Sequence, residues 1–92
     1  MMIVNNVFLK LNEQGNIEYV TEQLLSMRGK IPTLSDITVG KCVRGTDFDI
    51  VFATYFHTID DLGAYLLDSM HVEVSKSIGP MIVHQVSACC EL

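Results

Sequence analysis

The segment that most constrains the fold is FDIVFATYFH, residues 48–57, because it is apolar on both of the faces that a β-strand presents. Its Phe, Ile, Val and Tyr residues, with no breaker among them, indicate a strand. Side chains alternate along a strand. One face is predicted to carry Phe48, Ile50, Phe52 and Phe56, and the other Val51, Ala53 and Tyr55. A sheet that contains this strand therefore needs cover on both sides.

Hydrophobic periodicity predicts the element order β-α-β-β-α-β around this strand. An apolar stripe at helical spacing, about four turns long, is formed by Ile17, Val20, Leu24, Met27 and Ile31. Gly29 is a candidate C-cap, and Pro32 prevents continuation of that helix. The other strands are predicted at residues 2–11, 34–43 and 81–92.

Capping residues mark where the helices begin. Asn16 is the predicted N-cap of the first helix. The stretch Thr58-Ile-Asp-Asp61 fits a capping box, and a helix follows through about Leu67. Ser69 is the predicted cap of another short helix, which Gly79-Pro80 ends or bends. The buried positions in this region are predicted to be Leu62, Tyr65 and Leu66, while His71, Val74, Ser75 and Ile78 share one side of the short helix.

The predicted architecture is one α+β domain over residues 1–92, a ferredoxin-like subunit. It has a four-stranded antiparallel sheet with the helices on one face. A single helical layer leaves the other apolar face uncovered, and a patch of that size on a monomer marks an interaction site. We therefore predict a homodimer in which two sheets pack face to face and close a dimeric α/β-barrel.

Composition excludes several other classes of function. The net charge is −5, with six Lys and Arg and no basic cluster, which argues against a nucleic-acid partner. No apolar run approaches the ~20 residues that span a bilayer, so no membrane partner is expected. The first ten residues lack the features of a signal peptide, so a cytoplasmic location is expected. The three cysteines and three histidines show no zinc-ligand spacing, so no metal and no cofactor are predicted.

Five pieces of the chain, in order, resemble the stress-responsive A/B barrel family, whose members are dimeric α/β-barrels. The pieces are Met2-Ile-Val-Asn-Asn-Val-Phe-Leu-Lys-Leu11, Gly29-Lys-Ile-Pro32 followed by Ile37-Thr-Val-Gly40, Asp49-Ile-Val51, Ala64-Tyr65 and His71-Val-Glu-Val74. No single piece is diagnostic, and the resemblance rests on their order and spacing over nearly the whole chain. It implies a ferredoxin-like subunit and a barrel-forming homodimer, in agreement with the two-faced strands.

The same resemblance implies candidate site residues. Most members have no known reaction, but plant relatives include a polyketide cyclase and a hydroxynitrile lyase. In the cyclase-like pattern, a histidine on the first strand works with one before the last helix, and a tyrosine lies nearby. Here the helical histidine is His71 and the tyrosine is Tyr65, whereas the first-strand position is Asn5. Asp68-Ser-Met-His71 also departs from the frequent His-Pro-x-His form.

Each candidate residue has a structural and a functional interpretation. His71 either hydrogen-bonds across the core or faces a cavity, where a neutral imidazole could act as a general base. Tyr65 is either plain core or a pocket wall. Asn5 lies on an apolar strand face and needs a partner. That partner is either His71 or a ligand that both residues orient.

Four functions remain open from the sequence. The first is a homodimeric barrel that binds a small hydrophobic or aromatic molecule through Asn5, Tyr65 and His71. The second is a cyclase- or lyase-like enzyme with His71 as its catalytic base. The third is a structural or stress-associated oligomer without a ligand, and the fourth a small monooxygenase of the related barrel type. A cavity of a few hundred Å³ reached by His71 would favour binding or catalysis, and a filled core would favour the third.

Overall fold

A computed structural model describes all residues from 1 to 92 and confirms the ferredoxin-like subunit. The elements are β1 (Ile3–Leu11), α1 (Ile17–Leu25), β2 (Asp36–Lys41), β3 (Ile50–Phe56), α2 (Ile59–Leu67), α3 (Ser69–Ile78) and β4 (Ile82–Glu91). Short 3-10 turns, Gln14–Asn16 and Gly79–Met81, precede α1 and β4. The four antiparallel strands lie in the order β2-β3-β1-β4.

The core lies between one face of the sheet, here called the helix face, and the helical layer. All five members of the predicted helical stripe pack in or against this core. The helix itself is shorter than predicted, because α1 ends at Leu25. Met27 and Ile31 are buried from the turn that follows, in which Gly29 takes a positive φ of 73°. The stripe therefore predicted burial correctly and helix length wrongly.

Helix α2 begins as predicted, but the boundary between α2 and α3 lies at a different residue from the one predicted. Thr58 Oγ1 accepts a hydrogen bond from the backbone N–H of Asp61 at 3.1 Å, which confirms the first cap. The cap of α3 is Asp68 and not Ser69, since the Asp68 carboxylate accepts from the N–H of Met70 at 2.8 Å. A carboxylate at this position also faces the positive end of the helix.

Two further local predictions are confirmed only in part. Asn16 occupies the N-cap position of α1 as predicted, but its side chain makes no capping bond and instead donates to Asn12 Oδ1 at 3.0 Å. Leu66 is 46% exposed, whereas the sequence pattern predicted it to be buried. Leu62 is half-buried, and of the three predicted residues only Tyr65 is fully buried.

Strands β2 and β3, which form the hairpin, are both shorter than predicted. As a result, Phe48 lies before β3 and on the other face of the sheet. Strand β3 begins at Ile50, so the alternation of side chains does not extend to Phe48. The Phe48 ring lies 5.7 Å from the rings of Phe8 and His84. Both of those side chains point away from the helices. The predicted face of Phe48 was therefore wrong.

The sheet surface opposite the helices, here called the helix-free face, is apolar as predicted. Strand register brings these side chains together. Phe8 is 36% exposed and Val86 49% exposed in the single chain. Besides Phe48 from the preceding loop, the apolar strand residues of this face are Val4, Phe8, Val51, Ala53, Tyr55, Val86, Ala88 and Cys90.

The helices also leave part of the helix face open. Helix α1 packs on β2 and α2 packs on β3, whereas β4 is exposed along its length beyond Ile82. Beyond Ile82, the β4 side chains that share the helix face include the polar Gln85 and Ser87. None of the helices has the length and apolar character required to cross a bilayer.

Candidate functional site

A cavity of about 490 Å³ lies between the helix face of the sheet and the helices α1, α2 and α3. It exists because the helical layer leaves β4 uncovered, so the space beside β1 is only partly filled. A volume of this size falls within the range of small-molecule sites. The apolar walls are Val7, Leu9, Leu24, Met27, Phe52, Leu66, Val74, Ile78 and Ile82.

The three residues singled out from the sequence, Asn5, Tyr65 and His71, all line this cavity. They come from three different elements, β1, α2 and α3. No Lys, Arg, Asp or Glu side chain lines the cavity, so its polar groups are neutral amides, hydroxyls and the imidazole. The remaining polar residues of the lining are Thr54, Ser75, Gln85 and Ser87.

The hydrogen bonds of His71 fix its tautomer. Nδ1 lies 3.1 Å from the carbonyl oxygen of Leu66. A carbonyl oxygen can only accept, so Nδ1 carries the proton and donates it. In the neutral ring Nε2 then holds the lone pair, and the Ser75 hydroxyl lies 3.4 Å from it as a donor. The imidazole is thus oriented by its own helix and by the end of α2, with a basic nitrogen beside the cavity.

Tyr65 is both core and cavity wall. It is 3% exposed, and its ring lies 5.2 Å from Phe56 and 4.5 Å from His71. Its hydroxyl makes a long contact of 3.9 Å to Met27 Sδ, a weak acceptor. Burial raises the pKa of this phenol to about 12, because the phenolate would lose its hydration. Tyr65 therefore remains a neutral hydroxyl group at any physiological pH.

Asn5 does not make the hydrogen bond to His71 that the structural interpretation required. Both ring nitrogens of His71 are engaged with Leu66 and Ser75 instead. On the sheet, Asn5 pairs with Thr54 of β3 and with Cys89 of β4. Its half-buried amide faces the cavity from the centre of the sheet.

The sequence interpretation missed one polar residue of the cavity, Thr54. It is 1% exposed, and its Oγ1 is the one buried side-chain oxygen or nitrogen without a hydrogen-bond partner. Thr54 lies between Phe52 and Phe56 on the helix face of β3, directly across from Asn5. The available signal was a hydroxyl on a face that is otherwise aromatic and aliphatic. It was overlooked because Thr is common in strands for its β-branched shape alone.

The other titratable residues lie away from the cavity. His57 is exposed after β3, and His84 stacks on Phe48 on the helix-free face. Asp49 is 4% exposed and accepts from the backbone N–H of Leu11 at 2.8 Å, with Lys10 Nζ at 3.8 Å. The Asp49 carboxylate therefore holds the hairpin to the end of β1. No group of three or more His, Cys, Asp or Glu side chains is arranged to hold a metal ion.

Comparison with protein-family models identifies the family. The model described as the stress responsive A/B barrel domain matches residues 3–88, nearly the whole chain. The chain belongs to this family. The A/B barrel assignment agrees with the resemblance found in the sequence. No curated protein matches the chain.

Solved structures share the A/B barrel subunit fold at low sequence identity. A dimeric ferredoxin-like protein of unknown function from Thermobifida fusca superposes with a TM-score of 0.86, at 21% identity over 100% of this chain and 92% of that one. A hydroxynitrile lyase from Passiflora edulis gives a TM-score of 0.85, at 15% identity over 99% and 93%. The cofactor-independent oxygenase SnoaB of Streptomyces nogalater gives 0.75, at 12% identity over 99% and 91%. These identities are low enough that the likeness shows the fold alone.

The raised pKa of Tyr65 predicts a loss of stability in alkaline solution. The unfolded chain ionises this phenol near its ordinary value of 10.0, whereas the folded A/B barrel domain keeps it neutral until about pH 12. The stabilisation is complete below pH 10 and is lost as the pH rises toward 12, because only the unfolded state releases the proton in that window. The pKa of Tyr65 differs by about two units between the folded and the unfolded state. At about 1.4 kcal/mol per unit, ionisation lowers the free energy of unfolding by about 2 to 3 kcal/mol.

Urea unfolding of the wild type and of Tyr65→Phe at about pH 9 and about pH 11.5 measures this loss. The variant lacks the ionisable group and keeps the ring, so the alkaline loss should be smaller in the variant. Equal losses in both proteins would show that the Tyr65 hydroxyl is not held neutral by burial.

Proposed function

We propose that this A/B barrel domain binds a small, neutral, apolar or aromatic molecule in the cavity beside β1. The observation that carries the proposal is the cavity itself, which has apolar walls and gathers Asn5, Tyr65 and His71 at one site. A purely structural protein would be expected to fill this space with side chains, since protein interiors are close-packed. The cavity therefore supports binding over the structural alternative.

The lining defines the chemistry of the ligand. The lining includes no cationic side chain, so nothing in it would pair with a carboxylate or a phosphate. The proposed roles are apolar contact from the walls, ring contact from Tyr65, a hydrogen bond from the Asn5 amide, and a hydrogen bond accepted by His71 Nε2, which the Ser75 hydroxyl contacts only at 3.4 Å. Such a combination of apolar surface with a few placed polar groups is typical of small-molecule sites.

A thermal-shift screen of phenolic, polyketide-like and aldehyde compounds tests the proposal. A compound that binds the native state raises the melting temperature in a concentration-dependent way. At a concentration of a hundred times its Kd, it increases the free energy of unfolding by about 2.7 kcal/mol. We expect His71→Ala to reduce this stabilisation, because it removes one of the polar contacts.

His57→Ala is the matched control, since His57 is exposed and remote from the cavity. An equal loss of stabilisation in both histidine variants, or no stabilisation by any compound in the wild type, would contradict the proposal.

A second candidate function is a lyase- or cyclase-like enzyme with His71 as general base. The observation that favours it is the tautomer of His71, which leaves Nε2 unprotonated beside the cavity. The shared fold with a hydroxynitrile lyase is consistent with this candidate. The first-strand position of the cyclase-like pattern is Asn5, which cannot take up a proton. Two histidines acting together in proton transfer are therefore not available here. Turnover by the wild type that is abolished in His71→Ala, with binding of the compound retained, would favour the enzyme over the binding protein.

We also propose that the A/B barrel domain is a homodimer in which the helix-free faces of two subunits pack together. A single chain leaves this apolar surface in water, where it favours association. The dimeric state of the Thermobifida fusca protein is consistent with this assembly. One isologous contact would cover the same face on both subunits.

The dimer proposal predicts the effect of charge on the helix-free face. Light scattering at micromolar concentration should give twice the chain mass for the wild type and the chain mass for Phe8→Lys combined with Val86→Lys, because two lysines per subunit would be desolvated in the contact. Val72→Lys is the control, since Val72 is a similarly exposed apolar residue on α3. A wild-type monomer, or a dimer that persists with both lysines, would contradict this assembly.

A further inference from the structure

The buried hydroxyl of Thr54 is an unpaired polar group in the lining of the cavity. Thr54 Oγ1 has no hydrogen-bond partner, although the residue is only 1% exposed. A buried hydroxyl that loses water without gaining a partner destabilises the folded state. Valine has nearly the same shape and would avoid this cost, so packing alone does not explain a threonine here. A native unpaired group of this kind calls for a specific explanation.

The position of Thr54 on the sheet supplies that explanation. Thr54 and Asn5 are directly opposite residues of β3 and β1, and both line the cavity. Opposite residues on one face have Cβ atoms about 5 Å apart. The Thr54 hydroxyl and the Asn5 amide N–H, both hydrogen-bond donors, are therefore neighbours on the helix face of the sheet.

We propose that Thr54 is a specificity-determining residue that donates a hydrogen bond to a carbonyl oxygen of the ligand, so that the cavity selects neutral apolar ketones and aldehydes over hydrocarbons of the same shape. This inference rests on the proposed binding function and adds the ligand class to it. The carbonyl oxygen accepts from Thr54, with the Asn5 amide as a second donor. The apolar body of the ligand lies along the walls formed by residues such as Leu24 and Val74.

Matched probes separate the hydrogen bond from the fit of the apolar body. Acetophenone carries the carbonyl group, and α-methylstyrene has the same shape with a CH₂ group in place of the oxygen. Calorimetric titration gives the dissociation constant of each probe for the wild type, for Thr54→Val and for Thr54→Ser. The measured quantity is the ratio of the two constants within each protein, which cancels general effects of a substitution on the cavity.

Thr54→Val should shift this ratio against acetophenone by roughly tenfold, the usual effect of one buried hydrogen bond, while the affinity for α-methylstyrene stays the same. Thr54→Ser keeps the hydroxyl and should keep the wild-type ratio. If both probes bind and Thr54→Val leaves the ratio unchanged, the role of Thr54 is wrong and the binding function stands. If neither probe binds the wild type, the ligand class proposed here is wrong, while the binding function itself is decided by the broader thermal-shift screen.

The protein without any probe provides an independent test. Removal of an unpaired buried hydroxyl should raise the melting temperature, so Thr54→Val is expected to melt above the wild type. A lower melting temperature would show that the hydroxyl already has a partner within the protein, and this would overturn the inference.

Discussion

The structure depends on a sheet that is apolar on both faces and covered by helices on one of them. The central strands β1 and β3 place apolar side chains alternately toward the helices and away from them. The helix face buries residues such as Leu9, Ile50 and Phe56 in a single core. Within the chain the helix-free face is covered only in part, by the loop that carries Phe48, and Phe8 and Val86 stay exposed. Burial of this remaining apolar surface is the physical reason to propose a second subunit. An alternating polar strand at residues 50–56 would remove this requirement.

The cavity arises because the helical layer is narrower than the sheet that it covers. Helices α1 and α2 cover β2 and β3, and β4 extends beyond them with polar side chains on the helix face. The space between α3 and β1 is therefore bounded on one side by core residues and on the other by Gln85 and Ser87. This arrangement gives an apolar cavity a polar margin without any charged group.

A break between two helices places the imidazole. Asp68 leaves the helical conformation, with ψ of 137°, and caps α3 through its side chain. The chain turns there, so Tyr65 at the end of α2 and His71 at the start of α3 meet with their ring centroids 4.5 Å apart. The Leu66 carbonyl, left free near the end of α2, is the group that orients the His71 ring. Helix stability and the orientation of His71 are thus joined at Asp68, because loss of that cap would loosen the histidine.

The sequence predicted the element order, the buried stripe of the first helix and the Thr58 cap, since all three depend on local periodicity and capping chemistry. The helix length was wrong because Met27 and Ile31 keep their helical spacing while the backbone has already turned. The face of Phe48 was wrong because the loop before β3 breaks the alternation on which the prediction depended.

The candidate site was only partly accessible to sequence reasoning. Asn5, Tyr65 and His71 were brought together by the family resemblance and not by spacing, since they lie on three separate elements. Of the two alternatives left open for Asn5, the hydrogen bond to His71 does not form, because the neighbouring Leu66 and Ser75 already engage the ring. Thr54 was missed because a threonine in a strand is ordinary, and the absence of a hydrogen-bond partner for its hydroxyl becomes visible only in the three-dimensional structure.

The most direct test of this account is methyl NMR on the isotope-labelled wild-type protein during titration with acetophenone. The account predicts that shift changes concentrate on methyl groups of the cavity walls, such as those of Leu24, Val74 and Ile78. Methyl groups of Val51 and Val86 on the helix-free face should stay unshifted. The opposite pattern, with shifts on the helix-free face and none in the cavity, would contradict the central claim that the space beside β1 is the binding site.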